Sequence, residues 1–400
     1  MFRSYSVEEE QICKQAPNYN RENSKKIDYI NKINDKPWGK EYLAYQNKKI
    51  GIWILHVNKN QETSLHCHFK KDTILIPLSG CFKINLYDKF VILNLFETLY
   101  VTRNAFHGIH SYSDNSVLME IEIYTEHIEY TDKNDLLRIK DIYQRDKNNY
   151  ETSVLEREPE KDETMIFENG NKYNLYGTNV EIKNVQNLDS IKKQYDKIVL
   201  LDGFLYSGGK TIMSGSFIEN IDEYSLLSDT ISVLCLSNIN GKQLNKVIYS
   251  MFHLEDLFKT TKFKNTGLTS GCFDIVHSGH IHNLKISKSN CDTLFVCLSS
   301  DKQVNRLKGD KRPINNLEDR INMLINYDFV DYLVLYEETD DILENELDNI
   351  MNVINPTTWF KGNDYKKEDI LKKHPTLKNI QLIDLVEGKS TTNIIKKIIN

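Results

Sequence analysis

The sequence predicts a multidomain chain: an N-terminal β-barrel, a β-rich middle domain and a C-terminal α/β unit with a doubly wound parallel sheet. Three observations carry that reading. From Gly51 to Glu122 short strand-like runs are separated by turn-like breaks, as in an antiparallel sandwich or barrel. From about Thr164 to Leu257 strand-like runs return, punctuated by Gly203, Gly208, Gly209 and Gly215. After Asn265 apolar strands alternate with helical segments, which predicts a parallel sheet with helices on both faces. A length of 400 residues suits two or three domains of roughly 100–200 residues.

Residues 1–34 are polar and rich in Lys and Asn, with one helix expected at Lys25–Ile33, and read as a leader or partner arm. The barrel is assigned to residues 35–150, with strands at Gly51–Val57, Thr73–Pro77, Phe82–Tyr87, Thr98–Val101 and Ser116–Ile123. Residues 151–163 (ETSVLEREPEKDE) are charged, contain Pro159 and lack apolar periodicity, so they read as a linker. The middle domain, residues 164–260, has expected strands at Ile198–Leu201, Phe204–Tyr206, Lys210–Met213 and Ile231–Leu236. It shows no catalytic constellation, and a structural or interface role is expected. Residues 264–400 form the last domain. Its expected strands are Thr293–Leu298, Tyr332–Tyr336, Thr357–Phe360 and Ile380–Leu385; its expected helices are Gly279–Ser289, Asn316–Tyr327, Asp341–Ile354 and Thr391–Ile399.

Charge and composition exclude several classes. The chain carries 51 basic and 57 acidic side chains, a net charge of -6, which argues against bulk nucleic-acid binding and leaves a local basic pocket open. No apolar run reaches the roughly 18 residues of a membrane span. Met1–Glu10 has no apolar h-region, so no secretory signal is expected. Seven scattered cysteines without a CxxC suit a reducing cytoplasm and no disulfide framework.

The most informative segment is Thr269-Ser-Gly-Cys-Phe-Asp-Ile-Val-His-Ser-Gly-His280. It runs from a strand through a turn into a helix that begins near Gly279. Helix starts leave backbone N–H groups unpaired and carry partial positive charge, so the junction suits a phosphate. His277 and His280 flank Gly279 and can aim both rings at one ligand, while Gly279 allows close approach to the backbone. Taken alone, an HxGH is as readily a pair of surface or capping histidines.

This block resembles the HxGH nucleotidyltransferase superfamily, most nearly the nucleotidyltransferase domain of ADP-heptose synthases and more distantly glycerol-3-phosphate cytidylyltransferases. The pieces occur in family order: Gly271–His280, Leu298–Asp301, Arg306–Asn315, Arg320, Val330–Glu338, Phe360–Tyr365 and Glu387–Ile398. The resemblance implies His277, His280 and Lys308 as catalytic residues. It implies nucleotide binding by Gly271, Cys272, Phe273, Gly279, Arg312, Lys361, Gly362, Asp364, Ser390, Thr391 and Thr392, and acceptor binding by Asp274, Asp301 and Arg320. On the residues alone, Phe273 reads as core, Asp274 and Asp301 as caps, and Ser390 or Thr391 as a helix cap. Lys308 and Arg312 are expected in a Gly-containing loop. Mg²⁺ is expected with the nucleoside triphosphate, CTP or ATP. The heptose enzymes usually have two glycines before the Asp-Tyr pair, whereas here Gly362 is followed by Asn363.

In the barrel, His66-Cys67-His68 puts two imidazoles on one face of a strand, and His107 follows on a later strand. Such a trio can bind a first-row metal. Residues 35–145 resemble a cupin, more narrowly that of mannose-6-phosphate isomerase/mannose-1-phosphate guanylyltransferases, through Lys36–Glu41, His66–Thr73, Leu78–Ile84, Phe106-His107 and Asn134–Arg145. The family's Glu ligand is replaced by Thr73, Asp72 should face away, and Thr102 and Asn104 stand where the second motif has Pro and Gly.

The two resemblances imply a cytoplasmic enzyme that joins a nucleoside triphosphate to a heptose, hexitol, ribitol or glycerol phosphate, making a precursor of bacterial surface or capsule polysaccharide. The alternative is a cupin-type sugar-phosphate isomerase or epimerase, alone or in a bifunctional chain. A homo-oligomer through the β domains is expected, with no nucleic-acid partner.

Overall fold

The structure is a computed structural model. It describes all residues except 18, 20–26, 126–128, 146–154, 162, 176, 193, 239–245, 337–345, 374–376, 378, 385, 387–390, 392–393 and 395–400. The chain divides into two compact units, Met1–Lys242 and Gln243–Asn400.

In the first unit, Ile50–Val57, Lys71–Ser79 and Ser116–Tyr124 are rich in β-branched and aromatic residues and pair antiparallel. They form the centre of an eight-stranded sheet. A five-stranded sheet holds Leu137–Lys140, Leu65–Cys67, His107–Ser111, Phe82–Leu86 and Phe90–Leu93 in that order. Trp53, Leu55, Leu75 and Leu118 of the large sheet meet Phe82, Ile84 and Ile109 of the small one in a single core. This is the expected cupin-like barrel.

The other face of the large sheet is also covered. Ile52, Ile54, Ile74, Ile76, Met119 and Ile121 share a core with Val180, Ile182, Val199, Leu201, Leu234 and Leu236. The latter belong to a four-stranded sheet of Lys172–Leu175, Thr178–Val185, Ile231–Asn238 and Lys197–Asp202. Two covered faces explain why IGIWIL and ILIPL run continuously apolar instead of alternating. Each fully buried Ile or Leu contributes about 1.5–3 kcal/mol relative to exposure.

Two local expectations for this unit are corrected. Of the helix expected at Lys25–Ile33, residues 27–33 are described, and they are not helical: Ile30 bridges to Leu43 and Ile33 opens a strand. The arm's helix is Val7–Lys14, started by a capping box between Ser6 and Glu9. The charged stretch 151–163 is not free chain where it is described. Leu155–Arg157 pairs with Ile33–Lys36, and Arg157 binds both Asp35 and Glu163 at 2.7 and 2.5 Å.

The second unit holds a six-stranded, all-parallel sheet in the order Val247–Ile248, Tyr332–Tyr336, Thr293–Ser299, Thr266–Gly271, Thr358–Gly362, Ile380–Ile383. Thr293–Ser299 shows why helices cover both faces. Leu294, Val296 and Leu298 pack with Leu284 and Leu324, whereas Phe295 and Cys297 pack with Leu254, Ile350 and Met351. Val247–Ile248 and the helix Met251–Thr260, expected in the middle domain, belong to this sheet and its second core. Successive strands run outward from Thr266–Gly271 in one direction, and the chain then crosses back to add Thr358–Gly362 on its other side. That reversal opens a crevice at the carboxyl ends of the two central strands.

Candidate nucleotide cleft and histidine cluster

At this crevice lies a cleft of 840 Å³. Its floor is the turn Gly271–His280, which leads into the helix Ser278–Ser289. His277 is that helix's N-cap, and its Nδ1 accepts the Gly279 N–H at 3.1 Å. A neutral imidazole that accepts at Nδ1 carries its proton on Nε2, so this ring is a donor at its other nitrogen. The His280 ring stacks on His277 with centroids 3.9 Å apart. Burial, with His277 beside it, pushes His280 down to about 4. It is therefore neutral at pH 7.

The expected catalytic residues His277, His280 and Lys308 all line the cleft. So do Gly271, Cys272, Phe273, Gly279, Arg312, Lys361, Gly362, Asp364 and Thr391. Ser390 and Thr392 lie outside the described residues. Thr391 donates to the Ile275 carbonyl at 3.4 Å, which brings the C-terminal segment to the histidine turn. Phe273 is buried in the core, its ring 5.1 Å from that of His280, and supports the histidine from below. Lys308 is not in a loop: it ends the helix Asp301–Lys308, which Ser300 caps and Gly309, at φ 94°, terminates.

Lys361 lies near the end of its strand and donates to Ser270 Oγ at 2.8 Å. The Trp359 and Tyr365 rings flank it at 4.7 and 5.1 Å. Burial pushes its ammonium down to about 8. Arg312 pairs through Nε with Asp274.

The three residues expected to bind the acceptor are engaged with other groups of the protein. Asp274 is 2% exposed and already accepts from Ile314 N, Asn315 N and Arg312. It lines the cleft, but its oxygens tie the 312–315 loop to the histidine turn. Asp301 and Arg320 are not among the lining residues. The Arg320 side chain is fully buried, donating to the Cys272 and Ser299 carbonyls at 2.7 and 2.8 Å and to Asp301 at 2.6 Å. These three residues hold the loops that shape the site. Asn363 also turns elsewhere, its amide donating to Asp384 at 2.9 Å.

Sequence reasoning missed Gln303, Tyr336, Trp359 and Tyr365 as lining residues. Trp359 had a signal: it stands two residues before Lys361 on one strand and so shares its face. Gln303 had one too, a single turn into the helix after the Leu298–Asp301 piece.

In the first unit, His66, His68 and His107 bring one nitrogen each within 4.8 Å of one another. Each Nδ1 meets a backbone carbonyl: Ser64 at 2.8 Å, Asp135 at 2.5 Å and Ala105 at 3.2 Å. A carbonyl only accepts, so Nδ1 holds the proton and every Nε2 keeps a lone pair. Burial holds His66 and His68 well below their ordinary values and His107 at about 4. Neutral, pre-aimed imidazoles fit a divalent first-row cation. Asp72 is turned away, accepting from Tyr100 and Arg103 N at 2.8 and 2.7 Å. Thr73 Oγ1 is buried without a hydrogen-bond partner, so no carboxylate completes the set from that position. Asn104 adopts φ 65°, doing in the second motif what the family's glycine does. Lys71, paired with Glu122, lies close enough to the trio for its charge to help keep the rings neutral. Glu120 sits two residues before Glu122 on the same strand face, and burial pushes its carboxyl up to about 7. Two glutamates spaced i, i+2 in an apolar strand were the unread signal for this polar interior.

The second unit carries a parallel sheet with paired histidines at its switch point, and residues 268–397 match the family described as Cytidylyltransferase-like. Residues 22–141 match the family described as Mannose-6-phosphate isomerase C-terminal. Among curated relatives, a "Bifunctional protein HldE" from Campylobacter concisus is 33% identical over 211 residues, covering 51% of this chain and 43% of its own. A protein of the same name from Granulibacter bethesdensis is 41% identical over 135 residues, 33% of this chain and 27% of its own. The chain thus spans less than half the length of these relatives. A solved lipopolysaccharide core biosynthesis protein from Thermoplasma volcanium is 24% identical with a TM-score of 0.26, covering 31% of this chain and 98% of that one. Among the described residues, no helix is long and apolar enough to cross a membrane.

Proposed function

We propose that the second unit transfers a nucleotidyl group from CTP or ATP to a sugar or polyol phosphate. The observation that carries this reading is the stacked His277–His280 pair at a helix N-terminus, facing Lys308, Arg312 and Lys361 across one cleft. An oxygen of the acceptor phosphate attacks the α-phosphorus. The new P–O bond forms as the bond to the bridging oxygen breaks, and pyrophosphate leaves with the electron pair. The nucleophile is already anionic, so no strong base is needed; position and charge neutralisation carry the rate. His277 Nε2–H and neutral His280 donate to the triphosphate. Lys361 and Lys308 supply positive charge, and the helix start adds backbone N–H groups. Mg²⁺ arrives with the triphosphate, as part of the substrate.

The acceptors this reading favours are heptose, hexitol, ribitol and glycerol phosphates, and the product is an activated precursor for surface polysaccharide made in the cytoplasm. Release of pyrophosphate, screened with four nucleoside triphosphates against these phosphates, is the test. The reading expects turnover with one nucleotide and one acceptor class. Silence across the whole matrix would remove it.

The histidine cluster supports a second activity in the same chain, a sugar-phosphate isomerase or epimerase. His66, His68 and His107 would hold a divalent metal, which supplies Lewis-acid polarisation of a carbonyl or hydroxyl. The rings' carbonyl-locked Nδ1 atoms are the favouring observation. Metal analysis with His66→Ala decides it: loss of both bound metal and isomerisation supports the second activity at this cluster, isomerisation that survives the change rejects the trio as its site, and a metal-replete wild type that does not isomerise rejects the activity. Self-association through the β-rich unit belongs to the same proposal, and sedimentation of the full chain is its check.

A further inference from the structure

We infer that Cys13 and Cys67 are an oxidisable dithiol that clips the N-terminal arm to the strand carrying the paired histidines. The helix Val7–Lys14 buries only two side chains, Glu9 and Cys13, which are four residues apart and so share one face. Both reach the histidine cluster's supports. The Glu9 carboxylate accepts the Phe106 N–H at 2.9 Å, one residue before His107. The Cys13 sulfur lies 3.5 Å from the Cys67 sulfur, and Cys67 stands between His66 and His68. Phe69, Phe106 and Leu137 close around the two sulfurs in a small core of their own.

A disulfide needs an S–S distance of about 2.05 Å, so the sulfurs have about 1.5 Å to close. A short helix on an otherwise exposed arm can supply that movement. Local opening of such a segment also admits a small oxidant to thiols that are fully buried on average.

The oxidant class is a peroxide. One thiolate attacks the peroxide O–O bond, giving a sulfenic acid and, after protonation, one water. The second thiol attacks that sulfur, forming the S–S bond and expelling a second water. Two sulfurs lose two electrons, and hydrogen peroxide becomes two waters. In a reducing compartment the pair rests as thiols, and a thiol reductant reverses the bond. The modification site is independent of the nucleotidyl-transfer reading.

The test treats the full-length folded protein with hydrogen peroxide and maps peptides without reduction. The expected product joins the Cys13 and Cys67 peptides, two hydrogens lighter than the sum, and dithiothreitol separates them. Oxidation should also slow tryptic cleavage at Lys14 by about tenfold, because cleavage needs the helix to open. Cys13→Ser and Cys13→Val should each abolish that protection. Should the folded protein oxidise at other cysteines while Cys13 and Cys67 stay unlinked, the inference is overturned, and the wild-type measurement decides this even where a variant misfolds.

Discussion

The two histidine sites use one residue type in opposite senses. In the C-terminal cleft, His277 Nδ1 accepts from a backbone N–H, so its outward nitrogen donates. In the barrel, the three Nδ1 atoms give their protons to backbone carbonyls, so the outward nitrogens accept. Burial keeps the barrel rings and His280 neutral. What would suit one imidazole to an anion and another to a metal is therefore the backbone group behind the ring. A helix N-terminus offers N–H groups and points donors at phosphate, whereas strand and loop carbonyls point lone pairs at a cation.

The largest expected effect breaks the donor side. His280→Ala should lower kcat for nucleotidyl transfer by about 10²–10³-fold while the protein stays folded. An unaltered kcat would contradict the donor role. His277→Asn sharpens the point, because Asn still caps the helix. It should lose rate without losing stability, whereas His277→Ala should cost about 1 kcal/mol more in thermal or denaturant unfolding. Equal stability of the two variants would deny the cap its part.

A second effect concerns charge rather than hydrogen bonding. With its ammonium pushed down to about 8, Lys361 is charged below that pH and loses its charge above it. Triphosphate prefers the charged form, so affinity should be highest below pH 8 and fall above it, by at most about tenfold per pH unit. Lys361→Gln should weaken nucleotide binding by about 10–100-fold and flatten that pH dependence. Titrations in which wild type and variant share one profile would show that Lys361 does not face the phosphates.

The smallest effect tests the acceptor side. Thr73→Glu restores a carboxylate where an unpartnered hydroxyl now sits, and should tighten divalent metal binding at least about tenfold, the size of even an outer-shell change. Calorimetry on both proteins checks this. No gain would mean that position 73 does not reach the metal.

Much of the cleft was legible because its parts are contiguous. Gly271 to His280 spans strand end, turn and helix start within ten residues, and backbone geometry then places the rings. The paired His66 and His68 were legible for the same reason, through strand alternation. What escaped depended on distant partners. Arg320 looked like an acceptor ligand, but only the fold reveals the two carbonyls that take its Nη1 and the Asp301 carboxylate that takes its Nη2. Lys308 looked like a loop residue because Gly309 follows it, yet Gly309 ends a helix that Ser300 starts. Met251–Thr260 follows a strand-rich stretch, and nothing local says that it serves the next sheet. The second covered face of the barrel's large sheet was visible only as unusually long apolar runs, which periodicity cannot assign to a partner.

That doubly covered sheet sets a boundary for anyone wishing to excise the barrel. A fragment stopping near residue 163 would strip Ile52, Ile54, Ile74, Ile76, Met119 and Ile121 of their cover in one stroke. Six adjoining aliphatic side chains would then face solvent on a broad pleated surface, an invitation to stick to another copy. A minimal fragment that keeps the histidine cluster should therefore extend through Asn238, the last residue of the covering layer.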